Sequence, residues 1–242
     1  MNKEKAYVLD TNILFNMAIY HLDNQDNNWR VRKAKEFYSK AGERIYILDL
    51  VWAEFLGSFL HKNIDFNKYQ LWYRNRRTAI EKMYASLVKN NASYIGIGDS
   101  KKYNKLFELT RKFSNSIHSN KIAQKINKYD KDILKEKIRQ AELKANLRVK
   151  NNLERTLKRI NEETRKIFDG IDAAVAVYAY LISKADESND VILITEDKSL
   201  EVAVDYCYKN KYKFFEGGKW NVRAMGLNKV LRQIEKDKIF DL

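Results

Sequence analysis

AYVLDTN (6–12) and VILITEDKSL (191–200) decide the fold. Each begins with a short, unbroken apolar run and passes at once into hydroxyl and carboxylate residues. Such runs read as strands buried on both faces, which is the pattern of a parallel sheet. AYVLD (6–10) predicts the first strand, with Thr11 and Asn12 expected to cap the helix after it. IYIL (45–48), SYIGIG (93–98) and VILIT (191–195) predict three more, and YKFF (212–215) is expected to be the last. Between them, helices are predicted over 29–41 (ended by Gly42), about 50–61, 66–90 and 100–114. Strands alternating with helices imply an α/β fold, a parallel sheet with helices on both faces.

The 242 residues suffice for one large domain, and 45% hydrophobic content is ample for its core. The single cysteine, Cys207, excludes an internal disulfide and fits a reducing compartment. The start, MNKEKAYVLD, has too short an apolar run for a signal peptide, and no stretch reaches membrane-spanning length. A cytoplasmic protein without membrane association is expected. A net charge of +14 points to a polyanionic partner, most simply nucleic acid, although Lys and Asn abundance also accompanies AT-rich genomes.

One block breaks the strand–helix rhythm. Residues 116–166 hold 15 Lys/Arg against 7 Asp/Glu, a net of +8 out of +14. Ile122, Ile126, Tyr129 and Ile133, and then Leu153, Leu157, Ile160 and Thr164, recur every three or four positions. This predicts two long helices with narrow apolar seams, forming a basic hairpin inserted between a domain made of 1–115 and 167–242. No proline occurs anywhere, and no glycine lies between Gly98 and Gly170, so nothing interrupts these helices. Lys131, Lys135, Arg139, Arg148, Arg155 and Arg159 are the candidates for contact with RNA phosphates; a solvated charged face is the plainer alternative. Seams too narrow for an independent core also suggest a homo-oligomer.

Carboxylates stand at the ends of the apolar runs: Asp10, Glu54 in LVWAEFL, Asp169 and Asp172 in IFDGIDAAVAV, and Asp197 in ITED. A carboxylate just past a buried strand lies at the rim where open α/β sheets place their sites. Several acids converging without bases repel one another unless a divalent cation joins them. Mg²⁺ or Mn²⁺ held by such oxygens is the standard means of hydrolysing a phosphodiester. Taken singly, each acid has a plainer role: Asp10 an N-cap, Glu54 a solvated helix residue, Asp169 a helix-start residue, Asp197 a turn or cap. Their joint order carries the argument. Asp169 and Asp172, three apart, share a helix face. The Thr195 hydroxyl is placed to orient a carboxylate or water.

The order of motifs resembles the PIN-domain nucleases. VLDTN (8–12) looks like their first motif, LVWAEFL (50–56) like the helix-borne acid, DGIDAAVAVYAYL (169–181) like the acid three positions before an Ala-rich helix, and ITED (194–197) like the terminal Thr-x-Asp. The resemblance implies a three-layer α/β/α sandwich and metal-dependent endoribonuclease cleavage leaving 5′-phosphate and 3′-hydroxyl ends. It makes Asp10, Glu54, Asp169 and Asp197 ligands of Mg²⁺ or Mn²⁺, with Asp172 an additional acid and Asn12 and Thr195 supporting groups. Trp52 departs from the pattern, which usually has a small hydroxyl residue there. The basic insertion and LDTNILFNMAIY (9–20) further resemble the protein-only RNase P homologues called HARP, oligomers that trim the 5′ leaders of precursor tRNAs. A non-catalytic RNA-binding scaffold and a VapC-type toxin are the alternatives.

Other motifs carry less. WYRNRR (72–77) interleaves aromatic and basic residues but is equally a helix with its aromatics turned inward. His21, His61 and His118 are isolated, GIG (96–98) lacks the length of a phosphate loop, and EGG (216–218) reads as a turn. Cys207 reads as a buried helix residue.

Overall fold

The computed structural model describes residues 5–22, 29–40, 45–61, 69–89, 93–95, 100–162, 170–185, 190–216 and 218–240. Strands β1 (Lys5–Leu9), β2 (Ile45–Leu48), β3 (Ser93–Ile95), β4 (Asp190–Ile194) and β5 (Arg223–Met225) form one sheet in the order β3-β2-β1-β4-β5. All four pairings are parallel. The two central strands, β1 and β4, are buried at every position but their first. That is why AYVL and VILI are continuous apolar runs rather than alternating ones.

Helices α1 (Thr11–Leu22), α2 (Trp29–Lys40), α3 (Asp49–His61), α4 (Tyr69–Lys89) and α10 (Leu227–Phe240) pack with one another as one group. Helix α5 (Ser100–His118), the hairpin α6 (Asn120–Leu143) and α7 (Leu147–Glu162), α8 (Gly170–Ala185) and α9 (Lys198–Lys209) form a second. The chain crosses from β1 to β2 in one direction and from β4 to β5 in the other. Right-handed crossovers therefore put the two groups on opposite faces of the sheet. The result is an α/β fold compatible with three layers. Among the described residues no helix is long and apolar enough to cross a membrane.

Two sequence expectations are corrected. YKFF is not a strand: Phe215 makes one isolated bridge with Gly218, which sits at φ 115° in a tight turn. Its aromatics serve packing instead. Phe214 meets Phe113 edge-on at 4.9 Å, and Phe113 stacks on Trp220 at 4.8 Å. The last strand comes later, at Arg223–Met225, too short to register as an apolar run. Nor do Thr11 and Asn12 stand ahead of α1; they lie inside its first turn, and Asp10 precedes it. Gly42 and residues 96–98 fall outside the described residues.

The hairpin turns through Lys144, Ala145 and Asn146, where the Asn146 side chain caps the Val149 N–H at 3.2 Å. Its base is fastened to α9, with the Tyr129 hydroxyl donating to Asp205 at 2.6 Å and Ile126 and Leu134 buried. Its tip is not covered: Leu143 and Leu147 are 73% and 68% exposed. Ala145 has φ 52°, a left-handed conformation that strains a Cβ-bearing residue by about 1 kcal/mol. Replacing Ala145 by Gly is expected to raise the melting temperature by about 2–4 °C for a chain of this size. A lower melting temperature would contradict the turn conformation.

Candidate functional site

The direction of strand succession reverses between β1 and β4, which is where open α/β sheets bind ligands beyond the strands' carboxyl ends. Leu9 pairs with Ile194 in register, so Asp10 and Thr195 emerge side by side. The ladder runs one step further on each side: Asp10 N–H donates to the Ile194 carbonyl and Thr195 N–H to the Met225 carbonyl, both at 3.1 Å.

Asp10 is 3% exposed. Its Oδ1 accepts the Thr11 N–H at 2.7 Å, and its Oδ2 accepts the Thr195 hydroxyl at 2.6 Å and the Asn12 carboxamide N–H. The orientation of Asn12 is fixed from its other end, because its Oδ1 accepts the Glu196 backbone N–H at 3.0 Å. Thr195 has no choice either. Its oxygen receives the Asp197 N–H at 2.9 Å, so its one proton is left for Asp10. Every partner of Asp10 is thus a donor, a pattern that suits the ionised carboxylate. Burial opposes that form and raises its pKa from 3.8 to about 6, with the nearby Glu54 charge adding to the rise. Among the described residues no lysine or arginine forms an ion pair with Asp10.

Glu54 comes in from the second turn of α3, which starts directly after β2, the neighbour of β1. The Thr11 hydroxyl donates to Glu54 Oε2 while the Thr11 N–H serves Asp10, so one residue ties both carboxylates. Glu54 is half-buried, not the solvated residue of the plainer alternative. Beside it Trp52 packs against Phe55 at 5.4 Å.

The other acids stand differently. Asp172 is half-buried in the first turn of α8, which packs on β4 and leads back into it, so that turn lies at the same edge of the sheet. Asp169 lies outside the described residues. Asp197 is exposed and caps α9, its Oδ1 accepting the Ser199 and Leu200 N–H groups at 2.6 and 3.1 Å. One of its oxygens is thereby committed to the helix. Among the described residues no three His, Cys, Asp or Glu side chains gather to hold a metal. Asp10 and Glu54 supply a pair of hard oxygen donors that have no positive counter-charge among the described residues, and a divalent cation fits that chemistry.

Two acids at this edge were missed in the sequence. Asp49 directly follows β2, as Asp10 follows β1, and IYILD carries the same signal as AYVLD. Burial of Tyr178, and after it the Asp49 charge, raises the pKa of Tyr178, whose buried hydroxyl has no hydrogen-bond partner among the described residues. Glu196 is structural: its Oε1 accepts the Leu227 N–H at 2.9 Å at the start of α10.

On the hairpin, Lys135, Arg139, Arg148, Arg155 and Arg159 are exposed and Lys131 is half-exposed. Arg139 is already held by both oxygens of Glu136, at 2.9 and 2.8 Å. In WYRNRR, Arg77 pairs with Glu81 at 3.0 Å and Arg76 lies over the Phe59 ring; the side chains of Trp72, Tyr73 and Arg74 are outside the described set. Cys207 is buried in α9, and burial pushes its thiol pKa up, away from a nucleophile. Comparison with protein families, curated proteins and solved structures finds no match to the chain.

The raised pKa of Asp10 has a definite sign. Below pH 3.8 it has no effect, because the group is protonated in both the folded and the unfolded chain. As pH rises towards 6 only the unfolded chain releases the proton, so folding loses roughly 3 kcal/mol. Asp10→Asn removes this loss but turns a donor towards Thr195 and Asn12, costing about 1–3 kcal/mol at every pH. In chelator, the stability of Asp10→Asn relative to the wild type is expected to rise by roughly 3 kcal/mol between about pH 4 and pH 7. A constant difference in urea unfolding across that range would show that Asp10 is not a penalised carboxylate.

Proposed function

We propose that this chain is a Mg²⁺- or Mn²⁺-dependent endoribonuclease of PIN-like architecture, a three-layer α/β/α sandwich with a basic helical hairpin inserted. It hydrolyses RNA phosphodiester bonds to 5′-phosphate and 3′-hydroxyl ends. The observation that supports this reading is the buried Asp10 carboxylate beside Glu54 at the switch point, surrounded by donors and with no counter-charge among the described residues.

Asp10 and Glu54 would hold the ion, with Asp172 and the uncommitted oxygen of Asp197 as further oxygen donors at the same edge and Asp169, which the sequence motif offers, as another. When bound, the ion supplies neutralisation of phosphate charge and a water of lowered pKa. Thr195 and Asn12 keep the Asp10 carboxylate in one orientation, and Thr11 fixes the spacing to Glu54. In hydrolysis a water oxygen bonds to phosphorus, its proton passes to a carboxylate or to solvent, and the 3′ oxygen leaves and is protonated. The exposed hairpin cations would grip a structured RNA, with precursor tRNA leader trimming as the specific candidate. The exposed Leu143 and Leu147 at the tip suit a second copy of the chain, which light scattering reads directly. The commitment of Asp197 to the α9 cap favours one rival, an RNA-binding scaffold that no longer cleaves.

Asp10→Asn is expected to abolish cleavage of a labelled precursor tRNA pool in Mn²⁺. Thr195→Val is expected to lower the rate or the metal affinity about 10–100-fold, as loss of a ligand's orienting partner does. Asp169→Asn should impair turnover more than Asp172→Asn. Cleavage by Asp10→Asn at the wild-type rate would overturn the site, and wild-type inactivity in either metal would favour the scaffold.

Replacing Lys131, Lys135, Arg155 and Arg159 by Gln is expected to weaken RNA binding and to flatten its dependence on salt, since fewer counterions are released. An unchanged slope in a filter-binding titration would move the footprint off the hairpin.

A further inference from the structure

The end of the sheet remote from Asp10 carries a second feature. A groove of about 820 Å³ runs between α5, the end of α8 and residues 213–216, with Lys105, Lys112, Lys184 and Lys213 on its rim. Lys184 lies near the far end of the helix whose first turn holds Asp172, about 18 Å along its axis from it. Glu108 is occupied by Lys112 at 2.6 Å, and among the described residues Lys105, Lys184 and Lys213 enter no ion pair. The hairpin-side groove contrasts with this. There Lys198 and Lys229 are both bound to the buried Glu201, which leaves little charge for a ligand.

The floor is aromatic. Tyr180, Phe214 and Phe215 line the groove, with Tyr180 and Phe215 rings 5.1 Å apart and Lys184 Nζ 5.7 Å from the centre of the Tyr180 ring. Tyr180 is 3% exposed, and its hydroxyl has no hydrogen-bond partner among the described residues. A desolvated hydroxyl without a partner is costly in a core.

An aromatic floor under a rim whose Lys105, Lys184 and Lys213 form no ion pair among the described residues, and outnumber the one other acid there, Glu216, matches single-stranded nucleic acid, whose bases stack while the phosphates meet lysine. We infer that this groove binds an unpaired segment of RNA, with a base against the half-buried Phe215 and phosphates against Lys105, Lys184 and Lys213. The choice of RNA over DNA rests on the endoribonuclease reading; the stacking and charge arguments do not. The groove is a site separate from the carboxylate edge, so it contributes to holding substrate and takes no part in the hydrolysis.

The test is fluorescence anisotropy of the full chain with a labelled oligouridylate of about ten nucleotides, within the usual site sizes. It is run in chelator, so that cleavage has no bearing on the result. Lys184→Glu with Lys213→Glu is expected to weaken binding roughly tenfold or more and to lower the salt slope by about one unit. Phe215→Leu, which keeps bulk but removes the ring, is expected to weaken it several-fold with the salt slope unchanged. Unchanged affinity in the double Lys variant would overturn the site, as would loss confined to Lys131→Glu with Lys135→Glu on the hairpin. Equal binding of polyglutamate would overturn the nucleotide assignment. Oligouridylate binding that survives in a chain unable to cleave any RNA would count against the nuclease reading and leave the groove standing.

Discussion

Burial drives Asp10 towards its neutral form, while Thr11, Asn12 and Thr195 all offer it protons and none is placed to accept one. Much of the surrounding structure exists to maintain that conflict. The β1–β4 register brings Thr195 to the carboxylate, and the Asp197 N–H fixes where the Thr195 proton goes. The Glu196 backbone fixes which end of Asn12 faces Asp10. A folded chain keeps such an arrangement only if something offsets it, and bound positive charge is the direct means.

The same architecture separates tasks in space. The paired carboxylates lie at the carboxyl ends of the central strands, where α3 and α8 begin. The hairpin is fastened at its base by Tyr129 and Asp205 and projects its cations away from the sheet. The aromatic cluster around Trp220 closes the opposite end of the sheet and at its margin leaves a groove open. Local charge and local packing thus assign different surfaces to different kinds of contact.

Much of this was legible in the sequence for a physical reason. Strands buried on both faces must be apolar throughout, so AYVL and VILI announced the two central strands and, with them, the edge on which Asp10 and Thr195 sit. The edge strands were harder. RAM has three residues and depends on Arg223 meeting Asp190, whereas YKFF has the composition of a strand and spends it on ring packing. Asp197 was legible as an acid just past an apolar strand, but not as a carboxylate already engaged by two helix N–H groups. Asp49 obeys the rule that singled out Asp10 and was passed over because α3 follows it without a break.

The partners at the heart of the site, Asp10 and Thr195, lie 185 residues apart in the chain. Ribosomes deliver β1 first, but it has no β4 to pair with until most of the polypeptide has emerged, and closing so long a loop is slow. The two helices of the hairpin, by contrast, are local and can form early. On a growing chain the basic hairpin surface therefore precedes the carboxylate edge. On the nuclease reading proposed above, a nascent molecule that touches nearby transcripts has no assembled means of cutting them, and the timing of synthesis acts as a safeguard written into the topology.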